Sequence, residues 1–442
     1  MAHILLHFKS HLFRFVTLSV LAGILLSACA APPPPPTSIE ATRPNGQEVV
    51  LWHSYEGSLR NALLGQVDEF NATNPWHIII VPEYHGKSDQ LQSQLKLAAA
   101  KGTAPDLTIL APSDVWSLGD VVVPVAPYAS NSVYGLTPDD LADIFPAMLD
   151  ITRDPKLNTL LSFPLGGEGV VLIYNIDRLA TQNQLSAPDS WPLFKEVCQA
   201  TTQDVTGDSQ PDRFGFGFDP RADFATAWLI SRGGSIISDD GLHTTFNSDE
   251  GVKTLQTLQE TANSGCFYRT TDEDAIHDFA RGKVAMIFAL TTQVPEIFNA
   301  VESQGGFRWG VSPVPYGRRN PTLTISGPAW TILRSTPARQ LAAWLFIRWF
   351  SDMAETVRWA QLTGLLPLRK SAGVGLAGEF AANAGFKVAF ELLSVAYAQP
   401  DIPAWGNIAE LLVHAVNAAV AGNDPARLLN DAAKSADSLL SQ

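Results

Sequence analysis

Three carboxylates stand where a folded chain would offer them to a bound molecule. Glu56 and Asp114 come just after predicted strands, and Glu168 follows the pair Gly166-Gly167. His53 and Tyr55 neighbour Glu56, and strand alternation lets only one side of that set face the same way. Two tryptophans sit among residues that break helices: Trp330 in Ser326-Gly327-Pro328-Ala329-Trp330, and Trp405 in Pro403-Ala404-Trp405-Gly406. Trp228 is a third candidate, although it and Leu229 also suit a core. Aromatic faces beside planar polar groups fit a polyhydroxylated ring. The face stacks on the C–H side of a pyranose, and the planar groups bond its hydroxyls in pairs. Arg369, in Leu366-Pro367-Leu368-Arg369-Lys370, would add a cation for phosphate or hydroxyls, or else form a surface ion pair. Trp344, Trp349 and Trp359 fall at regular helical spacing and read as packing. For each carboxylate a solvated loop is the plain alternative.

Other chemistry finds less support. Asp204, Thr206, Asp208 and Asp212 match part of a twelve-residue calcium loop, but Ser209 replaces its turn glycine and Gly215 its bidentate glutamate. A polar surface turn is expected there. The nine histidines include no H-E-x-x-H, and neither a Walker A, a G-x-S-x-G nor a dinucleotide glycine motif occurs. No metal and no cofactor are implied. The rival of a different class is a secreted glycoside hydrolase, which needs two carboxylates about 5–10 Å apart. Glu56 and Glu168 meeting across a cleft would supply them.

These residues need elements to position them. Glu48 to Trp52 reads as a strand, and Ser58 as the N-cap of a helix with Leu63, Leu64, Val67 and Phe70 on one face. His77 to Val81 is β-rich. A second helix carries Leu91, Leu95 and Ala98 and stops at Gly102, and Asp106 to Leu110 is the next strand. This alternation predicts a parallel sheet with right-handed crossovers, whose ligands gather beyond the carboxyl ends of the strands. A second α/β region starts near Phe163, with strands at Val170–Tyr174, Phe214–Phe218, Lys283–Ala289 and Trp309–Val314. Its helices are expected at Pro188–Ala200, at Ala222–Ser231, and around Val252, Leu255 and Leu258. The last hundred residues are mostly helical, with Thr336-Pro337 and Asp424-Pro425 as starts.

The N-terminus sets the compartment. Lys9 and Arg14 precede an uncharged apolar run, Phe15 to Leu26, shorter than the roughly 18–20 residues a bilayer span needs. Leu26-Ser27-Ala28-Cys29 resembles the bacterial lipobox, which implies cleavage before Cys29 and acylation of its thiol. Residues 30–46, with Pro32 to Pro36, form a proline-rich tether. Past residue 29 no second apolar stretch is long enough to span a membrane, so a soluble body is expected. About 410 residues then remain, suited to two domains. The formal charge of −14, two units more negative once Lys9 and Arg14 leave, argues against nucleic acid or anionic lipid as partners. With Cys29 acylated, Cys198 and Cys266 remain, either bridged or as two buried thiols.

Five segments, in order, resemble the extracellular solute-binding proteins of ABC importers, the maltose-binding-like group for sugars and glycerol phosphates. They are VVLWHSYEGS with FNATNP, KLAAAKGTAPDL, VVLIYNIDRL with PDSWPLFKEVCQA, FARGKVAMIFA with WGVSPVPYG, and LAAWLFIRWFSDMAETVRWAQLTGLLPLRKSA. The resemblance implies an α/β, two-lobed periplasmic-binding-protein-like fold of type II, with a ligand cleft and a three-segment hinge. Lobes of 47–164 plus 283–325 and of 165–282 plus 326–442 follow from it, as does a cleft position for Trp405. Cys198 and Cys266 would then share the second lobe. The implied partners are a small carbohydrate and membrane permease subunits, with the chain a monomer held extracytoplasmically through Cys29. A neutral mono- or oligosaccharide fits the acid-rich loops better than a glycerol phosphate. A sensor component using the same closed lobes is a third reading.

Overall fold

The computed structural model describes residues 38–441 except 155, 185 and 318–320. The expected signal segment, Cys29 and most of the expected tether lie outside the described residues. Residues 38–43 are set apart from the rest of the chain and form a turn in which Thr42 Oγ1 donates to the Ser38 carbonyl.

The unit from Pro44 onward opens with strand β1 (Glu48–His53), helix α1 (Gly57–Thr73), β2 (Ile79–Tyr84), α2 (Ser88–Lys101) and β3 (Leu107–Leu110). Helix α1 buries Leu63, Val67 and Phe70, the face its spacing predicts. It starts earlier than expected: Glu56 is the N-cap, and Ser58 lies inside the first turn. Helix α2 ends on Gly102 at φ 68°, a left-handed position that costs glycine little. Short strands β4 (Val122–Val123), β5 (Arg153–Asp154), β6 (Thr159–Leu160) and β7 (Phe163–Pro164) follow.

The chain then crosses to a second sheet. There it forms β8 (Glu168–Asn175), α3 (Trp191–Ala200), β9 (Phe214–Phe218), α4 (Ala222–Ser231), α5 (Asp249–Asn263), β10 (Phe267–Arg269), β11 (Val284–Leu290), β12 (Trp309–Pro313) and β13 (Thr324–Ser326). It returns for β14 (Ala329–Leu333), α6 (Pro337–Phe350) and α7 (Met353–Thr363). The closing elements are β15 (Tyr397–Ala398), α8 (Trp405–Val420) and α9 (Pro425–Leu440). Thr336 and Asp424 cap α6 and α9 as expected, each accepting a backbone N–H three residues on.

The first sheet has the order β2-β1-β3-β14-β4, with β7 on β14; the second runs β10-β9-β11-β8-β13-β15, with β12 on β8. The two-lobed α/β architecture is therefore as expected, but the lobe boundaries need correction. Strands β11 and β12, within 283–325, pair with β8 of the second sheet. Strand β14, expected in the second lobe, is antiparallel to β3 in the first. Helices α6 and α7 belong there too: Phe346 and Trp349 of α6 close on Phe70 of α1, and Glu355 of α7 accepts from Gln66 of α1 at 2.9 Å. The sequence shows these strands as apolar runs without showing which sheet their edges join.

Aromatic and aliphatic side chains from α3, α4, α5, α8 and α9 fill the second lobe. Within it Cys198 and Cys266 form a disulfide with Cα atoms 5.6 Å apart, closing a sequence separation of 68 residues. A loop of that length restricts the unfolded chain strongly. Replacing both cysteines by serine is expected to lower unfolding stability by about 2–4 kcal/mol in denaturant titrations, and reductant should reproduce the loss in the natural chain.

Candidate functional site

The sheets turn matching edges toward each other. The first presents the carboxyl ends of β1, β2 and β3 and the amino end of antiparallel β14. The second presents the amino end of β8 and the carboxyl ends of β9, β11, β13 and β15. A cavity of about 350 Å³ lies along this seam. Pro112 and Ser113 line it from the first lobe, Glu168 and Gly327 from the crossings, and Gln399 and Trp405 from the second lobe. A larger groove of about 510 Å³, beside Phe298, Trp309 and Gly385, lies between the start of β12 and neighbouring helical segments and shares no lining residue with the seam. Position beyond the strand ends of both sheets favours the smaller cavity as the site.

Glu168 anchors its polar wall. It opens β8 opposite Ser326 and accepts a 2.7 Å hydrogen bond from Thr292 Oγ1. Burial raises its carboxyl above the ordinary value; Thr292 opposes the shift, the charge of Asp223 adds to it, and Arg221 works against it. Asp223 accepts from Gln399 Nε2 at 2.6 Å. Arg221 Nε lies 3.1 Å from Asp219, and its guanidinium sits 4.3 Å above the Phe224 ring. From the first lobe comes Tyr55. Its hydroxyl is buried without a hydrogen-bond partner among the described residues, and burial, with the charge of Glu168, pushes its pKa up. Trp405 begins α8 and is 8% exposed where it borders the cavity. Just before it, Asp401 accepts a 2.8 Å bond from Trp116 Nε1, joining the loop ahead of α8 to the first lobe.

The other expected site residues lie elsewhere. Trp330, expected in the cleft, is 1% exposed because β14 turns it inward, edge-on to Phe346 and Phe350. Trp228 is likewise core, stacked on Phe218 and fully buried. Arg369 is neither a cleft cation nor a surface pair. It is buried, bonding Asp140 at 2.9 Å, Asp143 at 3.4 Å and the Ser351 carbonyl at 2.5 Å. His53 is buried and accepts from the Tyr55 amide through Nδ1. Burial, with the charges of Arg60 and His85, lowers its pKa to about 4, so it is neutral and shapes the turn that carries Tyr55. Glu56 is exposed at the lobe edge, accepting from the Tyr84 hydroxyl. Asp114 is half-buried; desolvation raises its carboxyl, while Lys96 and Gln92 of α2 oppose the rise.

The loop at 204–212 is a turn, as expected. Its carboxylates accept backbone amides: Asp204 from Gly207 and Ser209, Asp212 from Val205 and Thr206. Among the described residues no cluster suited to a metal ion occurs. Sequence reasoning missed Arg221, Asp223, Trp116, Gln399 and Asp401. The carboxyl-end rule, applied to Phe214–Phe218 as it was to the first sheet, points straight at Asp219 to Asp223. Gln399 and Asp401 announce themselves only by standing close to Trp405.

Two substitutions test this assignment. Arg369→Leu leaves Asp140 and Asp143 without their cation and should cost about 2–4 kcal/mol of stability, with ligand affinity of the folded protein unchanged. For Asp401, burial raises the folded pKa to about 7, Trp116 opposing and Asp154 adding. The folded state then holds a proton that the unfolded state releases near its ordinary value, so stability falls as pH rises through that window. Asp401→Asn should melt roughly 2–4 °C higher than the natural chain above about pH 7, with the gap closing toward about pH 4.

Comparison with known proteins bears on the whole fold. Residues 65–388 match the family model described as bacterial extracellular solute-binding protein. No curated protein matches the sequence. The cyclic α-maltosyl-1,6-maltose binding protein of Arthrobacter globiformis superposes with a TM-score of 0.76 at 20% identity, over 89% of this chain and 98% of that one. The sugar-binding protein MalE of Xanthomonas citri gives 0.76 at 19%, over 89% and 98%. UgpB of Mycobacterium tuberculosis, solved with glycerophosphocholine, gives 0.71 at 18%, over 90% and 98%. At these identities the structures share the fold, while the family model covers most of the sequence. The chain belongs to the bacterial extracellular solute-binding family and is a binding protein rather than an enzyme.

Proposed function

We propose that this chain is the carbohydrate-binding lipoprotein of an ABC importer. Solute-binding proteins capture small molecules and deliver them to ABC permeases. The observation that carries the carbohydrate reading is the seam cavity, where the Trp405 ring stands beside Glu168 and Gln399. A ring face and planar hydrogen-bonding groups together suit a sugar. Ligand bridging both lobes would shift an open–closed equilibrium toward the closed form, which the permease recognises. The lipobox-like Leu26 to Cys29 supports anchoring through Cys29 on the outer face of the cell membrane, with the body acting as a monomer.

A glycerol phosphate is the weaker alternative. It relied on Arg369, which is committed to Asp140, Asp143 and the Ser351 carbonyl. The seam offers more carboxylates than cations among the described residues, and these would repel a phosphate.

Thermal unfolding against a panel of mono- and oligosaccharides, polyols and glycerol phosphates tests the reading. A sugar at 100 times its Kd adds about 2.7 kcal/mol, and the melting temperature rises. Trp405→Ala should weaken that sugar by about 1–3 kcal/mol with little change in fold. A response to glycerol phosphates alone would contradict the proposal.

A further inference from the structure

We propose that the seam cavity is built for a saccharide carrying a protonated amine. This rests on the carbohydrate reading and narrows its ligand class.

The ground is the charge left over once every described partner is counted. Glu168 lines the cavity, and its described hydrogen-bond donor is the neutral Thr292 hydroxyl. Asp223 acts on Glu168 as a like charge, and its described donor is the neutral Gln399 amide. Arg221 is the cation whose charge reaches Glu168, and it is already ion-paired with Asp219. The seam is thus short of positive charge among its described groups.

Lobe closure sharpens the shortage. As water leaves, a carboxylate without a counter-charge loses its hydration and gains nothing equal from a hydroxyl, which donates a hydrogen bond and leaves the charge in place. An ammonium supplies both the hydrogen bond and the charge. A second observation points the same way to an occupant. The Tyr55 hydroxyl is buried without a described partner and lies within reach of the Glu168 charge. A polar atom left unsatisfied so close to Glu168 calls for a polar partner. The Trp405 ring, which borders the same cavity, accepts either the C–H face of a sugar or the cation itself. An anionic sugar meets repulsion, and a neutral sugar leaves Glu168 and Asp223 uncompensated.

The test is calorimetric titration of the purified full chain with matched oligosaccharides of equal length at about pH 6, where such amines hold their proton. Glucosamine oligomers are compared with N-acetylglucosamine oligomers and with cello-oligosaccharides, which carry an amide or a hydroxyl in place of the amine. At least one amine oligomer is expected to bind roughly tenfold or more tightly than both counterparts. In Glu168→Gln that advantage should shrink to about threefold or less, with melting temperature checked first. Asp223→Asn serves the same purpose if the first variant unfolds. Equal or tighter binding of the neutral members overturns the amine assignment and leaves the carbohydrate reading intact. Retention of the amine advantage in both variants also overturns it. Silence of all three series overturns the inference, and the wider sugar panel then decides the carbohydrate reading separately.

Discussion

Backbone contact at the crossings between lobes is the constraint on which the site depends. A Cβ added to Gly327 would stand 2.2 Å from the Gly166 carbonyl oxygen, so the two crossing segments touch main chain to main chain. Beside them Gly167 and Leu366 exchange backbone hydrogen bonds in both directions. No larger side chain fits at Gly327 without separating the strands. This contact sets Glu168, the first residue past one crossing, opposite Ser326, the last residue before the other. It brings the facing strand ends of the two sheets to one seam.

From that seam the chemistry follows by register. Strand β8 is antiparallel to β11 and β13, so its amino end meets their carboxyl ends. Thr292, Glu168 and Ser326 therefore converge from three stretches of chain far apart in sequence. The same geometry burdens the fold. Carboxylates at Glu168 and Asp401 are held away from water and their protonation shifts upward. Buried acids of this kind weaken a folded state that has no use for them. Their cost is intelligible if a ligand or a moving lobe later supplies the missing partner. The aromatic clusters of Trp330 with Phe346 and of Trp228 with Phe218 give each lobe its own packed core.

Much of the fold was legible in the sequence. Alternating strand and helix signals gave the parallel sheet, and Gly102, Thr336 and Asp424 marked helix ends that the structure keeps. Lobe membership was not legible, because β11 and β14 are equally apolar and only pairing decides which sheet each joins. The site was read unevenly for the same reason. Trp330 and Trp405 stand in similar Gly/Pro-rich surroundings, yet the first enters a strand facing inward and the second begins a helix at the cavity. Arg369 looked available because its two nearest acidic partners, Asp140 and Asp143, lie more than two hundred residues away. Local spacing carries no information about such distant neutralisation. Gln399 was invisible in the same way, since it matters through Asp223, 176 residues away.

Hydrogen–deuterium exchange of the chain with and without a stabilising oligosaccharide tests most directly whether the seam between the lobes is the binding site. Protection is expected at once in residues 111–116 of the first lobe and 399–405 of the second, together with the crossing at 165–168. Protection confined to one lobe, or centred on the groove beside Phe298 and Trp309, would contradict ligand capture at the seam.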